Sequence, residues 1–195
     1  MSETATTRIE RRSQQRARSR EVILQAARTV AARDGARDFS LRSVAAQAGF
    51  APAALYGYFA NKDDLLLALA ADDLAALARA MRNAGGGRPG LASTAAAALE
   101  LLRHNEIFAA AQASLRPQQA TSEAERLFNG RLIAVLKVLS QAMGSKADSR
   151  DGQCDVVLLA ATLAGLALLA RSGRLSALGF APDELLNRLD RHFGA

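Results

Sequence analysis

The side chains of this chain whose types and spacing suit chemistry lie between positions 40 and 62. Tyr56 and Tyr58 are its two tyrosines, and Ser40 and Lys62 flank them. Phenol and serine hydroxyls, an ammonium group and a helix N-terminus all bind phosphate oxygens. Taken alone, the two tyrosines are better explained by half-buried packing. The choice between packing and phosphate binding therefore depends on the elements that position them.

Two short helices joined by a glycine are predicted around these residues. Ser40 is a favourable N-cap for a helix over residues 41–48, which Gly49 ends. Pro52 fits the first position of a second helix, because its missing N–H costs nothing there, and that helix reaches Tyr56. The pattern is typical of a helix-turn-helix, whose second helix lies in the major groove while the first crosses the DNA backbone.

A longer helix is predicted on each side of this pair. Apolar residues recur at three- and four-residue steps from Ile23 to Val30 and mark one face of a helix that Gly35 ends. Asn61 is the predicted N-cap of a helix that continues to about Arg82. The first long helix and the two short ones compose a three-helix N-terminal domain.

Short stretches in unbroken register between about residues 18 and 66 identify this domain. They are ILQAA at 23–27, Gly35, SLRSVA at 40–45, Ala48-Gly49 and LYGYFANKDDL at 55–65. Together they resemble the DNA-binding domain of the TetR family of transcriptional regulators. The block Tyr-x-Tyr-Phe-x-x-Lys, which starts at Tyr56, is the most specific part of the resemblance.

The resemblance implies a role for each matching residue. Ser40 is similar to the position that caps the second helix and touches a phosphate. Tyr56 and Tyr58 resemble the aromatic pair that contacts the DNA backbone, and Lys62 resembles a phosphate contact at the start of the fourth helix. The chain is therefore expected to bind double-stranded operator DNA.

The recognition helix departs from the family pattern in its polar side chains. The family often has a hydroxyl at Ala51 and a bulkier residue at Gly57. The helix itself reads Pro52-Ala53-Ala54-Leu55-Tyr56 and has almost no hydrogen-bonding side chain for base edges, although alanine methyls can meet thymine methyls. We therefore expect sequence reading to lean on Arg42, on Gln47 and on the N-terminal segment.

That N-terminal segment is strongly basic. The first twenty residues hold six arginines and two glutamates, and the whole chain has a formal net charge of +6. The arginines are Arg8, Arg11, Arg12, Arg16, Arg18 and Arg20. Residues 1–17 show no apolar period and are expected to form a flexible arm, which either enters a minor groove beside the main contact or serves as a solubilising tail.

Residues 67–195 are expected to form a C-terminal helical domain for ligand binding and dimerisation. The predicted fold class is all-α, with about nine helices. A homodimer interface is expected on the last two helices, on two apolar stripes that could instead face the chain's own core. The stripes are Leu159, Leu163, Leu166 and Leu169 or Ala170, with Ala164 and Gly165 allowing close approach, and Leu185, Leu186, Leu189 and Phe193.

An effector cavity is expected inside the C-terminal bundle. The residues predicted to line it are His104, Phe108, Gln112, Phe128 and Leu132. Most of the lining would be aliphatic, which favours a hydrophobic or amphipathic small molecule. The alternative is a well-packed bundle without an effector.

Other classes of protein are disfavoured. No nucleophile-and-base pair, metal cluster or phosphate-cradling glycine loop is visible, and the two histidines are scattered, so neither an enzyme nor a metal or other cofactor is expected. With one cysteine, Cys154, an intrachain disulfide is excluded, which favours a reducing, cytoplasmic setting. The apolar run over 156–170 is shorter than the ~20 residues of a membrane span, and no signal peptide is seen.

The sequence thus predicts a sequence-specific regulator, usually a repressor in this family, that an effector releases from its operator. The alternative is a non-specific or architectural DNA-binding protein without an effector, which the weakly polar recognition helix favours. A steep salt dependence without sequence preference would distinguish the second from the first.

Overall fold

The computed structural model describes residues 3–84, 86, 90–105 and 122–194. Within these ranges all regular structure is helical, which confirms the predicted all-α class. Nine α-helices and one 3-10 helix fall in the described ranges. They are α1 (Glu3–Asp38), α2 (Leu41–Ala48), α3 (Pro52–Leu55), α4 (Lys62–Asn83), α5 (Leu91–Arg103), α6 (Glu123–Met143), the 3-10 helix Gly144–Asp148, α7 (Arg150–Arg171), α8 (Arg174–Ala177) and α9 (Pro182–Phe193).

Helix α1 starts much earlier than the sequence indicated. Residues 3–17, expected to be an aperiodic arm, continue the helix without a break, because this stretch contains neither glycine nor proline. A helix that touches little core needs no apolar period, so apolar spacing did not reveal it. At the other end Gly35 has φ 71° and ψ 170°, and it interrupts the helix where a break was predicted.

The helices of the N-terminal domain are capped by residues next to them in the chain. Ser40 forms a capping box with Ser43 at the start of α2, and Gly49 ends that helix with φ 72°, a conformation that suits glycine. Asn61 caps α4 by accepting a hydrogen bond from the Asp64 amide, at 2.8 Å. These three positions were predicted correctly because each depends only on neighbours along the chain.

Helix α4 joins the N-terminal domain to the C-terminal bundle. Its residues from Leu65 to Ala71 are buried, and its later part packs along α6 and α5. One hydrophobic core is continuous from Ile23 in α1 to Leu163 in α7. A displacement of α4 would therefore change the packing of both the N-terminal domain and the C-terminal bundle.

Helix α7 begins against the 3-10 helix at a point of very close approach. Gly152 is buried in its first turn, where the Ser149 hydroxyl accepts a hydrogen bond from the Gly152 amide, at 3.0 Å. A Cβ atom at Gly152 would lie 1.8 Å from the Lys146 carbonyl oxygen. Only glycine fits this backbone contact.

Several residues of the two apolar stripes predicted for a dimer interface lie in the chain's own core, which was the alternative left open for them. Leu159 and Leu163 are 0% and 2% exposed, and Leu186 of α9 is also buried. Helix α7 is apolar all round, so its sequence could not show which face points inward. The exposed side, called here the outer face of α7, consists of Val157, Leu158, Ala161, Gly165 and Leu168.

Helix α7 has 22 residues, several more than the apolar run counted in the sequence. By length and composition it is the one helix among the described residues that could cross a membrane. Core helices pass the same test, and α7 packs Leu159, Leu163 and Ala167 into the core. Arg150 and Arg171 mark its two ends.

Candidate nucleic-acid interface

The unit formed by α2, the turn and α3 presents a smooth, small-residue surface. Leu55 is completely buried and anchors the single turn of α3, whereas residues 51–54 are all exposed. Helix α3 ends one residue earlier than predicted, with Tyr56 as its C-cap. The exposed face of α3 can approach DNA closely because its side chains are alanine and proline.

The two tyrosines after α3 stand in different environments. Tyr56 is 62% exposed. Tyr58 is half-buried and packs edge-on against Phe50, with ring centroids 6.3 Å apart, and Phe59 is in the core. Tyr56 is therefore the phenol that is free to reach a phosphate, and Tyr58 also holds the end of the recognition helix in place.

The start of α4 is capped from within the chain. Asn61 accepts from the Asp64 amide, and the Asp64 carboxylate accepts a hydrogen bond from the Ala60 amide, at 3.2 Å. These acceptors occupy the site at which a phosphate could meet the helix N-terminus. A phosphate contact here would therefore fall on the ammonium group of Lys62, which is half-buried and lies 5.9 Å from the Phe39 ring centroid.

The remaining predicted residues lie on α2. Ser40 uses its hydroxyl to cap the helix, accepting from the Ser43 amide at 3.1 Å. Arg42 and Gln47 are both exposed. Ser40 thus caps α2, and Arg42 and Gln47 lie on α2, the helix that precedes α3.

Two arginines of α1 contact the recognition unit, which sequence reasoning missed. The Arg16 guanidinium donates to the Gly57 carbonyl at 2.6 Å and lies 5.0 Å from the centroid of the Tyr58 ring. Arg20 lies 5.4 Å from the Phe59 ring centroid. The signal that could have found them is their four-residue spacing, which places them on one helix face.

Comparison with protein families identifies the N-terminal domain. Residues 23–69 match the family model for bacterial regulatory proteins of the tetR family. The chain carries a TetR-family DNA-binding domain. No curated protein sequence matches the chain.

Solved structures share the fold over most of the chain. A protein of unknown function from Rhodococcus sp. RHA1 is 24% identical, with 90% of this chain and 93% of that chain covered and a TM-score of 0.70. The regulator FadR from Bacillus subtilis, in complex with stearoyl-CoA, is 19% identical, with 87% and 94% covered and a TM-score of 0.58. The fatty acid degradation regulator FadR from Bacillus halodurans is 18% identical, with 88% and 95% covered and a TM-score of 0.56.

The C-terminal bundle contains a half-open apolar cavity of about 240 Å³. Every lining side chain is aliphatic or methionine. The lining residues are Leu74, Leu77, Met81, Ala98, Leu102, Leu132, Val135, Leu136, Leu139, Val157, Ala160, Ala161, Leu163 and Ala164. The predicted aliphatic character is found, and the predicted Leu132 is among the lining residues.

Of the other residues predicted for this cavity, neither His104 nor Phe128 lines it. His104 is exposed at the end of α5, with its Nδ1 atom 2.9 Å from the Glu100 carbonyl oxygen, because it ends a helix rather than facing the bundle. Phe128 is buried in the core, but it does not line the cavity. Phe108 and Gln112 lie outside the described residues.

A polar cluster connects the TetR-type domain to the rim of this bundle. Arg28 of α1 donates to the carboxylate of Asp73 on α4, and Asn105 donates to the same carboxylate at 2.7 Å. Asp73 and Asn105 also line a smaller cavity of about 80 Å³ that shares Leu74, Leu77 and Leu102 with the larger one. Burial raises the pKa of the neighbouring Asp72 above its usual value, although Arg28 lowers it.

Proposed function

We propose that the protein is a homodimeric repressor that binds an inverted-repeat operator through α2 and α3 and is released by a hydrophobic or amphipathic small molecule. The observation that carries the DNA-binding part is the exposed face of α3, which has a phenol at its end and the Arg16 guanidinium bonded to the turn that follows. The alanine methyls of residues 53 and 54 and the Tyr56 side chain are exposed on this surface. Such a surface suits a groove edged by phosphates.

An effector is supported by the composition of the larger cavity. Its volume of about 240 Å³ exceeds the ~150 Å³ of an apolar protein cavity that binds benzene. No lining side chain carries a hydrogen-bonding group, so the occupant would be an apolar molecule or the apolar part of an amphipathic one. The FadR structure from Bacillus subtilis, which has the same fold, holds stearoyl-CoA.

A second copy is the proposed partner of the outer face of α7. Val157, Leu158 and Leu168 are 57%, 56% and 53% exposed, which is a large apolar surface for one helix. Gly165 lies among them and lets another helix approach closely. Two copies joined there would present two recognition helices to one duplex, as paired half-sites require.

The test is to select random duplex DNA with the purified protein at moderate salt and to sequence what is retained. We expect enrichment of an inverted repeat whose half-sites lie about one helical turn, ~34 Å, apart. Retention without enrichment would support the non-specific DNA-binding alternative, which the small side chains of α3 favour. A lack of retention would contradict both.

A further inference from the structure

The inner face of α1 changes from apolar to arginine toward its N-terminus. Ile23, Ala27 and Val30 lie on this face and are buried against the helix-turn-helix. Successive residues of an α-helix turn by about 100°, so positions 20, 16, 12 and 8 continue the same face with a drift of ~40° per step. All four are arginine, and they are called here the arginine stripe: Arg8, Arg12, Arg16 and Arg20.

Arg16 and Arg20 fix the position of the stripe. Arg16 is bonded to the Gly57 carbonyl and lies over Tyr58, and Arg20 lies over Phe59. Both contacts are with the segment that directly follows the recognition helix. The helix is therefore held against the DNA-reading unit at this point.

The other two arginines of the stripe lie N-terminal to these contacts along α1. Arg12 and Arg8 are exposed, and α1 is helical throughout this stretch. At 1.5 Å per residue, the stripe runs on for about 12 Å from Arg16 to Arg8. It extends the cationic surface of the interface along a rigid element rather than along a loose arm.

The charges of α1 are unequally divided between its faces. No acidic residue lies on the stripe, whereas Glu10, Glu21 and Arg18 lie on the side of α1 opposite Arg12 and Arg16 by the same 100° rule. Arg11 lies beside the stripe, about 60° from Arg8. The face that adjoins the recognition helix therefore has the higher positive charge density. A polyanion that meets the recognition helix would meet this face next.

We propose that Arg8 and Arg12 bind backbone phosphates of the duplex outside the bases that α3 reads, as a helical extension of the interface. The proposal rests on the DNA-binding function proposed above. Its occupant is duplex DNA, because the stripe is continuous with the recognition unit and opposite in charge to phosphate. In this role the arginines add affinity without adding base preference.

The test compares two double variants that remove the same charge from the protein. Arg8→Gln with Arg12→Gln changes the stripe, and the control, Arg18→Gln with Arg131→Gln, changes one exposed arginine on the other side of α1 and one on α6. Binding of each to the selected operator is measured as a function of salt. The dimer would lose four phosphate contacts, two from each protomer, which is expected to reduce the slope of log K against log salt by about 3.6, whereas the control variant keeps the parent slope.

The outcomes separate this proposal from the proposed function. If the parent protein selects an inverted repeat but the stripe variant keeps the parent slope, the stripe proposal is overturned and the regulator function stands. An equal loss of slope in both variants would also overturn it, since total charge alone would then explain the effect. The stripe variant is expected to select the same bases as the parent, and an altered selected sequence would contradict a purely phosphate-directed role.

Discussion

At the scale of single residues, Tyr56 and Tyr58 show how two neighbours of the same type divide between contact and support. Tyr56 has most of its surface exposed, whereas Tyr58 packs on Phe50 and lies under Arg16. The sequence resemblance gave both the same role. Their difference depends on α1, which comes from more than thirty residues earlier in the chain and could not be read from the local motif.

Replacing Tyr56 with Phe removes one hydroxyl and keeps the ring. If this hydroxyl bonds a phosphate, its loss should cost about 1 kcal/mol per half-site, which over the two half-sites is roughly thirty-fold in operator affinity. The ring is exposed, so the free energy of unfolding should not change. Fluorescence anisotropy with the selected operator and urea unfolding measure the two quantities. Unchanged affinity would show that the Tyr56 hydroxyl does not contact DNA.

At the scale of helices, the caps were predictable and the packing was not. Ser40, Gly49 and Asn61 were assigned correctly because capping depends on short-range hydrogen bonds and on backbone conformation. The inward face of α7 could not be assigned from the sequence, since an apolar pattern on all sides of a helix does not show which side is buried. The helical state of residues 3–17 was missed for the opposite reason, because a polar helix has no apolar stripe.

Contacts between elements also decide which glycines matter. At Gly152 a methyl group would meet the Lys146 carbonyl, so Gly152→Ala must push α7 away from the 3-10 helix. We expect a loss of about 1–3 kcal/mol in the free energy of unfolding, as for other overpacked sites. Urea denaturation measures it.

Gly130 provides the matched control for that substitution. It lies exposed in α6 with nothing within 4 Å of an added Cβ. Gly130→Ala should therefore stabilise the protein by roughly 0.5–1 kcal/mol, because alanine loses less conformational entropy in a helix. Similar effects of the two substitutions would show that the close approach at Gly152 does not constrain α7.

At the scale of the whole molecule, the proposed dimer depends on the outer face of α7. Leu158→Glu together with Leu168→Glu would place two carboxylates on its outer face. Burying unpaired charge is costly, so the dimer should dissociate and operator affinity should fall. Light scattering gives the mass. Ile133→Glu, on an exposed position of α6, introduces one such carboxylate away from α7 and should leave the dimer intact, whereas a dimeric α7 variant would contradict the proposed interface.

The cavity and the outer face of α7 have two residues in common. Val157 and Ala161 line the cavity, and both are also exposed. A second copy seated on this face would close over the mouth of the cavity. Ligand occupancy and subunit association then become reciprocal, each changing the equilibrium constant of the other by the same factor. The ligand concentration needed for half-maximal response would consequently shift with the amount of protein present, so that the abundance of the regulator would itself set its sensitivity.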